Sequence, residues 1–326
     1  MCAHLTRPIP DIPTIPCLSD CADASAYIDK GSIVCVGTFD GVHRGHQEIL
    51  SAGRAHADRL GLPLWVVSFH PHPRSVVKPE IAPQLLTEPS ERHALFQYYH
   101  ADGVVIQRFD RDFASQSANQ FLTKSVLGAL TAKRIVIGDD FAMGKNREGN
   151  KDYLKAWGEK VQVGVTVIDN YGDGFGNRIG SGMIRKALGD GAFRLALELL
   201  GHPYPVTGSI VGGMRKGREI GYPTWNLALS QVKLAPPVGV YAGWTFRPTP
   251  RPGMAYYGSN PTFGGHVPHL EVNVLGGSPE ERTPRHPTEC FWLTDFIRPE
   301  EVYYDPDDLV RQLADDEREV RRRLGV

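Results

Sequence analysis

Short apolar runs alternate with segments of helical length over about the first 170 residues of this chain, which has 326 residues. Strands that are apolar throughout, with helices between them, are typical of a parallel sheet buried on both faces. The pattern therefore predicts a doubly wound α/β domain. The predicted strands are residues 33–37, 64–69, 104–107, 134–138 and 161–169. The predicted helices are residues 43–60, 90–101, 117–130, 150–158, 181–188 and 192–200.

The amino-acid composition changes at residues 201–205, GHPYP, after which glycine and proline are frequent. Short alternating segments at 206–212, 239–246, 254–257, 270–275 and 289–294 predict a small antiparallel β-barrel. A charged final helix, residues 306–324, is predicted to pack on this barrel through Leu309, Leu313, Val320 and Leu324. We thus expect a proline-rich leader at 1–30, disordered by its composition, an α/β domain at 31–200 and a barrel domain at 201–326.

Charge and cysteine content exclude several classes of protein. The 36 basic and 37 acidic residues give a net charge of −1, so we expect no nucleic-acid partner and no attraction to an anionic membrane. The five cysteines lack zinc-site spacing, which favours reduced thiols. No apolar run approaches the roughly 18 residues of a membrane span. We expect a cytoplasmic protein, as a monomer or a weak homo-oligomer.

One segment directly after the first predicted strand carries the strongest functional signal. It reads GTFDGVHRGH, residues 37–46, and opens the first predicted helix. The amino end of a helix at the carboxyl edge of a sheet favours phosphate binding, and His43 and His46 share one helical face. This arrangement suits nucleotidyl transfer, which needs positioning and charge stabilisation and no covalent nucleophile. The candidate nucleotide-binding residues here are Gly37, Thr38, Phe39, Asp40, Gly41 and Gly45.

This segment resembles the HxGH superfamily of nucleotidyltransferases and, more narrowly, the FAD synthetase half of bifunctional riboflavin kinase/FAD synthetases. Three later segments extend the resemblance: SFHPHPR at 68–74, GDDF at 138–141 followed by GKNREG at 144–149, and IGSGMIR at 179–185. The first resembles the family's FEPHP stretch, with His70 in place of the acid. The resemblance implies catalytic roles for His43, His46 and Arg185, nucleotide contacts for Asp140 and Ser181, and flavin contacts for Phe69, His72, Pro73 and Phe141.

The third of these segments departs from the family pattern ISSTxIR. Gly180 and Gly182 stand where the family has hydroxyl residues. Ser181 can still cap a helix, and Arg185 can still pair with a phosphate through two N–H groups. Each lost hydroxyl contact to a charged phosphate would weaken the binding of ATP or pyrophosphate by about 1.5 to 3 kcal/mol. Adenylyl transfer is therefore expected to be weakened and not removed.

The second half opens on GSIVGGMRKGREIGYPTWN, residues 208–226, which resembles the riboflavin kinase signature without a gap. A glycine-rich basic loop can surround nucleotide phosphates with N–H groups and positive charge. Thr224 and Asn226 offer the hard oxygen ligands that Mg²⁺ prefers when it accompanies ATP. The candidate nucleotide-binding residues are Gly208, Gly213, Lys216, Gly217, Arg218 and Pro223.

A glutamate on a later strand completes this second candidate site. In the family it takes the proton of the ribityl hydroxyl as that oxygen attacks the γ-phosphate, and Glu271 in HLEVNV occupies the matching place. Arg298 lies in a segment, FIRPE, that also resembles the family and is a candidate flavin contact. The family's Asn and Arg are replaced by Tyr256 and Asn260, and its flavin-side turn is replaced by residues 276–287, which leaves the identity of the flavin open.

Three functions are compatible with these motifs. The one favoured most is a bifunctional enzyme that converts riboflavin and ATP to FMN, and FMN and ATP to FAD and pyrophosphate. The second is a specialised relative in which one activity is weak or lost, or which takes a flavin analogue or another nucleotide. The third is a flavin-binding protein without turnover, which is disfavoured because binding alone needs neither the two histidines nor Glu271.

Overall fold

The computed structural model describes residues 14–172, 178–212, 217, 220–246, 249–259, 268–278, 282–284 and 286–326. Backbone packing divides the chain into two compact units, with the division between Ser181 and Gly182. This division lies about 20 residues before the domain boundary that the sequence predicts, near residue 200. The two helices α7 (Ser181–Gly189) and α8 (Phe193–Leu200) therefore group almost entirely with the second unit.

The first unit contains a six-stranded parallel sheet, which confirms the predicted α/β fold. Its strands are β1 (Cys17–Leu18), β2 (Ser32–Val36), β3 (Leu64–His70), β4 (Gly103–Arg108), β5 (Ala132–Gly138) and β8 (Gly164–Ile168). A two-stranded hairpin, β6 (Ala142–Met143) and β7 (Gly149–Asn150), lies between the last two. The strand order is β1-β4-β3-β2-β5-β8, so β2 lies between β3 and β5. All five β2 residues are buried, as expected for a strand covered on both faces.

Helices connect these strands. They are α1 (Arg44–Leu60), α2 (Pro73–Val77), α3 (Pro89–Tyr98), α4 (Arg111–Ser115), α5 (Ala118–Phe121) and α6 (Lys151–Val161). The predicted helix at 117–130 is α-helical only at its start, since Leu122–Ala129 forms a π-helix. The predicted strand at 161–169 begins later, because α6 continues to Val161 and ends where Gln162 adopts a left-handed conformation (φ 59°). Among the residues described, no helix is long and apolar enough to cross a membrane.

The expected disorder of the leader is wrong for residues 14–30. Strand β1 pairs in parallel with β4, and a 3₁₀ helix follows at Cys21–Tyr27. The Cys21 N–H donates to Gln107 Oε1 on β4 at 2.9 Å. Cys21, Ala24 and Ile28 are buried in the core beside the sheet. Their spacing of three and four residues matches one helical face, a signal that the proline content obscured.

The second unit is a closed antiparallel barrel, as predicted. Its strands are β9 (Tyr204–Val211), β10 (Trp225–Leu229), β11 (Gly239–Thr245), β12 (Arg251–Gly258), β13 (His269–Val274) and β14 (Thr288–Arg298). The strand order is β10-β13-β12-β11-β14-β9, and β9 closes the barrel by pairing with β10. The sequence analysis missed β10, because this five-residue strand directly follows the glycine- and proline-rich signature that dominates its surroundings.

The C-terminal helix α9 (Pro306–Leu324) packs on the barrel, which confirms its predicted role. Val320 is fully buried, and Leu313 and Leu324 pack in the same cluster. At the end of β14, Arg298 donates from Nε to Asp316 Oδ1 at 2.9 Å and from Nη2 to Oδ2 at 2.8 Å. Breaking a buried pair of this kind typically costs about 3 to 5 kcal/mol, so this contact fixes the helix on the barrel.

Candidate active sites

The loop that follows β2 has a constrained backbone. Phe39 and Val42 adopt positive φ angles of 51° and 39°, and both side chains are fully buried. A residue other than glycine costs of order 1 to 3 kcal/mol in such a conformation and persists where its surroundings hold it. Gly41 lies between them with φ 84°. The loop therefore has one fixed shape at the point where α1 begins.

Asp40 anchors this loop from within. Its carboxylate is buried and accepts the backbone N–H groups of Leu86 and Thr87, each at 3.0 Å from Oδ1. The Gly41 N–H donates to the Thr87 hydroxyl at 2.8 Å. Asp40 was predicted to bind nucleotide, and the contacts described here give its carboxylate a structural task in holding the loop. Thr87 was missed by the sequence analysis.

Arg92 on α3 is a second anchor, and sequence reasoning did not find it. The side chain is buried, and its Nη1 donates to the Thr38 carbonyl at 2.9 Å, to Ser68 Oγ at 2.6 Å and to the Phe69 carbonyl at 3.1 Å. Burial lowers the pKa of Arg92, while Asp40 opposes that shift. One guanidinium therefore joins the loop after β2 to the carboxyl end of β3, where two of the motif segments meet.

His43 and His46 lie together at the start of α1, as their spacing predicts. Their rings stack with centroids 3.6 Å apart, and Phe39 meets the His46 ring edge-on at 5.2 Å. Burial holds the pKa of His46 well below its usual 6.5, and the neighbouring His43 and Arg178 lower it further. His46 is thus neutral at pH 7 and has one ring N–H to donate. Within the described part of the chain, its buried Nδ1 has no hydrogen-bond partner.

The segments after β5 and β8 come together at the same edge of the sheet. Asp140 forms an ion pair with Arg178 at 2.6 Å, and the Ser181 hydroxyl donates to the Asp40 carbonyl at 2.8 Å. Arg178 was missed by the sequence analysis. A Cβ added at Gly180 or Gly182 would meet none of the described residues within 4 Å, so these residues leave space for the family's hydroxyl side chains.

The predicted flavin contacts of this unit occupy two environments. Phe69 is buried and meets Phe109, Phe113 and Phe121 at centroid distances of 5.8, 5.9 and 6.3 Å. Phe141 packs half-buried against the same core. His72 caps α2, its Nδ1 accepting the Arg74 N–H at 3.1 Å, and Pro73 is the first residue of that helix. The flavin contacts assigned to Phe69, His72, Pro73 and Phe141 stay a prediction.

In the barrel unit, two neighbouring strands bring the predicted catalytic and metal residues together. Asn226 on β10 lies opposite Glu271 on β13 in the strand register. The Thr224 hydroxyl, just before β10, lies 3.5 Å from Glu271 Oε2. His269 Nε2 lies 3.1 Å from Glu271 Oε1. His269 was missed, although strand alternation places it two residues from Glu271 on the same face.

Gly217 and Tyr222, which precede β10, lie close together. The Tyr222 N–H donates to the Gly217 carbonyl at 2.7 Å, and a Cβ at Gly217 would lie 2.3 Å from the Tyr222 oxygen. The Pro223 carbonyl accepts from Asn273 Nδ2 at 2.7 Å. At Gly208 a Cβ would lie 2.9 Å from the Ala228 oxygen. Gly213, Lys216 and Arg218 lie outside the described residues, as does Asn260.

Thr224 and Asn226 provide neutral hard oxygens beside a carboxylate, a donor set that fits Mg²⁺ held mainly by substrate phosphates. Across the described ranges, no group of three or more His, Cys, Asp or Glu side chains could hold a metal without such help.

Tyr256, which stands where the family has Asn, and Arg298, the predicted flavin contact of this unit, both take part in protein contacts. Tyr256 on β12 lies opposite Glu271, and its hydroxyl donates to Glu300. Arg298 is held by Asp316 of α9, and its guanidinium lies 5.8 Å from the centre of the Tyr303 ring. A flavin contact by Arg298 stays a prediction.

A parallel sheet with an HxGH loop at its carboxyl edge defines a nucleotidyltransferase-like unit, and the second unit adds a barrel with a threonine, asparagine and glutamate cluster. The family model described as FAD synthetase matches residues 25–182, and that described as riboflavin kinase matches residues 200–324. The chain belongs to the bifunctional riboflavin kinase/FMN adenylyltransferase family. The resemblance stated from its motifs is confirmed.

Individual relatives agree with this assignment. The bifunctional riboflavin kinase/FMN adenylyltransferase of Escherichia coli K12 is 34% identical over 299 residues, covering 91% of this chain and 94% of the relative. The enzyme of the same name from Haemophilus influenzae is 36% identical over 254 residues, covering 76% and 80%. A crystal structure named a macrolide-efflux protein, from Streptococcus pneumoniae, has a TM-score of 0.75 and 30% identity, covering 94% of this chain and 98% of that one.

Proposed function

We propose that the two activities are divided between the two units: adenylylation of FMN in the first and phosphorylation of riboflavin in the second. The chain is a transferase of flavin cofactor synthesis, with riboflavin, FMN and ATP as its small-molecule substrates. The observation that supports the division is the presence of two separate clusters in the family's order. His43 and His46 stack in the first unit, and Thr224 approaches Glu271 in the second.

In the first unit, a phosphate oxygen of FMN attacks the α-phosphorus of ATP. The new O–P bond forms as the bond from the α-phosphorus to the bridging oxygen breaks, and pyrophosphate leaves with that oxygen. His43 and His46 donate hydrogen bonds to the phosphates at the amino end of α1, where the helix dipole also favours negative charge. The family resemblance also assigns a phosphate contact to Arg185. The fixed loop from Thr38 to Val42 orients these groups before substrate binds.

In the second unit, the ribityl hydroxyl oxygen of riboflavin attacks the γ-phosphorus of ATP. Glu271 accepts the hydroxyl proton as the new O–P bond forms, and ADP leaves with the bridging oxygen. The glycine-rich segment at 208–218 would offer backbone N–H groups to the phosphates, and Lys216 and Arg218 would offer positive charge. The barrel holds Glu271 on a strand, which limits the movement of the carboxylate relative to Thr224.

Mg²⁺ with ATP completes the proposed kinase site. Thr224 and Asn226 would hold the ion together with phosphate oxygens, and the ion would supply charge neutralisation there. We further propose that the protein acts in the cytoplasm as a monomer or a weak homo-oligomer, without a nucleic-acid or membrane partner. These proposals are supported by the near-zero net charge and by the chemistry of the substrates.

A chromatographic time course tests the proposed function. Purified protein is incubated with riboflavin, ATP and Mg²⁺, and riboflavin, FMN and FAD are separated at intervals. We expect FMN to rise first and then to give way to FAD. FMN that accumulates without FAD would overturn the adenylylation assigned to the first unit. Unchanged riboflavin would overturn the kinase assignment, and replacement of riboflavin by analogues or of ATP by CTP and GTP would then identify a specialised relative.

The two glycines at 180 and 182 lead to a gain-of-affinity prediction. Because no described residue would lie within 4 Å of a Cβ at either position, Gly180→Ser with Gly182→Thr is expected to restore two hydroxyl contacts to phosphate. A hydrogen bond to a charged group contributes about 1.5 to 3 kcal/mol, so two restored contacts should lower the KM for ATP in FAD formation by about 100-fold or more. Steady-state kinetics from FMN and ATP measure this change.

The matched control is Gly180→Ala with Gly182→Ala, which stiffens the backbone in the same way without adding a hydroxyl. It should leave the KM for ATP close to that of the unmodified protein. An equal fall in KM for the alanine and hydroxyl variants would contradict the prediction, since backbone stiffness alone would then explain it.

A further inference from the structure

The proposed base, Glu271, has a neighbour that the resemblance does not supply. His269 and Glu271 lie two residues apart on β13, so both side chains point to the same face of the barrel wall. His269 Nε2 lies 3.1 Å from Glu271 Oε1. The side chains are 24% and 19% exposed, so the contact is largely shielded from water. The pair therefore lies at the edge of the cluster in which phosphoryl transfer is proposed.

This contact distinguishes the two carboxylate oxygens of Glu271. Oε1 is engaged by the imidazole, whereas Oε2 is the oxygen that faces the Thr224 hydroxyl, at 3.5 Å. Thr224 belongs to the proposed nucleotide and metal cluster, so Oε2 is the oxygen directed toward the reacting groups. A glutamate side chain has several rotatable bonds, and holding one oxygen restricts where the other can lie.

Such a restriction matters for a general base. Proton transfer needs the accepting oxygen within about 2.6 to 3.2 Å of the hydroxyl, and a misplacement of about 1 Å can cost about 100-fold in rate. The residue opposite His269 on β12 is Gly258, which has no side chain to pack against the imidazole. Glu271 itself is flanked across the strands by Asn226 and Tyr256. The imidazole is thus placed to hold the carboxylate, in a part of the barrel wall where Tyr256 and Glu300 also lie over Gly258.

We propose that His269 is a positioning residue for the kinase reaction: its Nε2–H holds Oε1 of Glu271 and thereby leaves Oε2 to accept the proton of the attacking hydroxyl. This inference rests on the proposed kinase function of the barrel unit. The positioning role of His269 leaves the bonds and protons of the phosphoryl-transfer step unchanged. The hydroxyl proton moves to Oε2, its oxygen bonds to the γ-phosphorus, and the bond to the ADP oxygen breaks. His269 neither gains nor loses a proton in this step.

Two substitutions distinguish the effect of losing the hydrogen bond from the effect of changing the size of the side chain. Glutamine at 269 can present an amide N–H at a similar reach, whereas leucine has a comparable size and no donor. We expect His269→Leu to lower kcat for FMN formation by about 10- to 100-fold. The KM for ATP should change by less than about threefold, because the proposal assigns the imidazole a contact with Glu271 and none with the nucleotide. His269→Gln should retain kcat within about threefold of the unmodified protein.

Conversion of FMN to FAD by the same full-length preparations is the internal control, since the first unit is unaltered. The urea unfolding midpoint of each variant checks the barrel, and His269→Ala replaces the leucine variant if the latter does not fold. Unchanged kcat in the donor-free variant would overturn the proposal. Equal losses in the glutamine and leucine variants, or a loss confined to KM, would also overturn it.

The kinase assignment is tested separately in the same assay. If Glu271→Gln still forms FMN at the normal rate, the base assignment fails, and the positioning role fails with it. If Glu271→Gln is inactive while His269→Leu is fully active, only the role of His269 fails.

Discussion

Replacement of Glu271 by glutamine is expected to lower the rate of FMN formation from riboflavin by about 100- to 10,000-fold, the usual contribution of a general base. Glutamine keeps the size of the side chain and removes the carboxylate that accepts the hydroxyl proton. Asn226 and Thr224 remain in place beside it, so the affinity for ATP should change little. Initial rates with saturating riboflavin and ATP measure the loss.

Two comparisons make this result specific to the barrel site. FAD formation from supplied FMN should proceed at the normal rate in Glu271→Gln, because that reaction is assigned to the other unit. Glu198→Gln is the matched substitution control, since Glu198 is an exposed residue of α8 that pairs with Arg194 at 3.1 Å. FMN production at the normal rate by Glu271→Gln would show that another group accepts the proton.

Replacement of both His43 and His46 by alanine is expected to remove FAD formation and to leave FMN formation intact. Loss of one preorganised donor to a transition-state phosphate typically costs about 100- to 1,000-fold in kcat, and the two stacked rings act together. The double variant should therefore lose at least about 1,000-fold. Conversion of FMN and ATP to FAD and pyrophosphate provides the measurement.

His56→Ala is the control for this second experiment. His56 lies on the same helix α1, but its ring contacts Arg59 and Thr166 and not the loop after β2. It should retain normal FAD formation. If the double variant at His43 and His46 still formed FAD at the normal rate, phosphate activation would have to come from other residues, and the first-site assignment would be withdrawn.

The residues that sequence patterns identified are those whose role is local. The buried strand β2, the loop glycines and the two histidines lie within 15 residues of one another, and strand-to-helix geometry determines their relative positions. Arg92 and Thr87 act on the same loop from 54 and 46 residues away. Neither belongs to a motif, and their contacts depend on how α3 packs on the sheet. Spacing alone could not have identified them.

The barrel contains residues that sequence reasoning identified and residues that it did not. Thr224, Asn226 and Glu271 were assigned to one site from the resemblance, and the pairing of β10 with β13 places them together. His269 was overlooked even though period-two alternation was available to find it. His269 lies two residues before Glu271 and outside the residue types of the matched motif. Tyr256 shows a third case, since only the strand register reveals that it lies across from Glu271.

Strand β1 affects how readily the protein can aggregate through the edge of its parallel sheet. It occupies the edge of the parallel sheet and covers the hydrogen-bonding groups of β4, whose residues Val104 to Ile106 are apolar. An uncovered apolar edge strand is a template for pairing with another chain and hence for aggregation. A two-residue strand offers little template of its own. Strand β1 therefore leaves less of the β4 edge open to pairing with another chain, and we expect a form of the protein shortened beyond Leu18 to aggregate more readily.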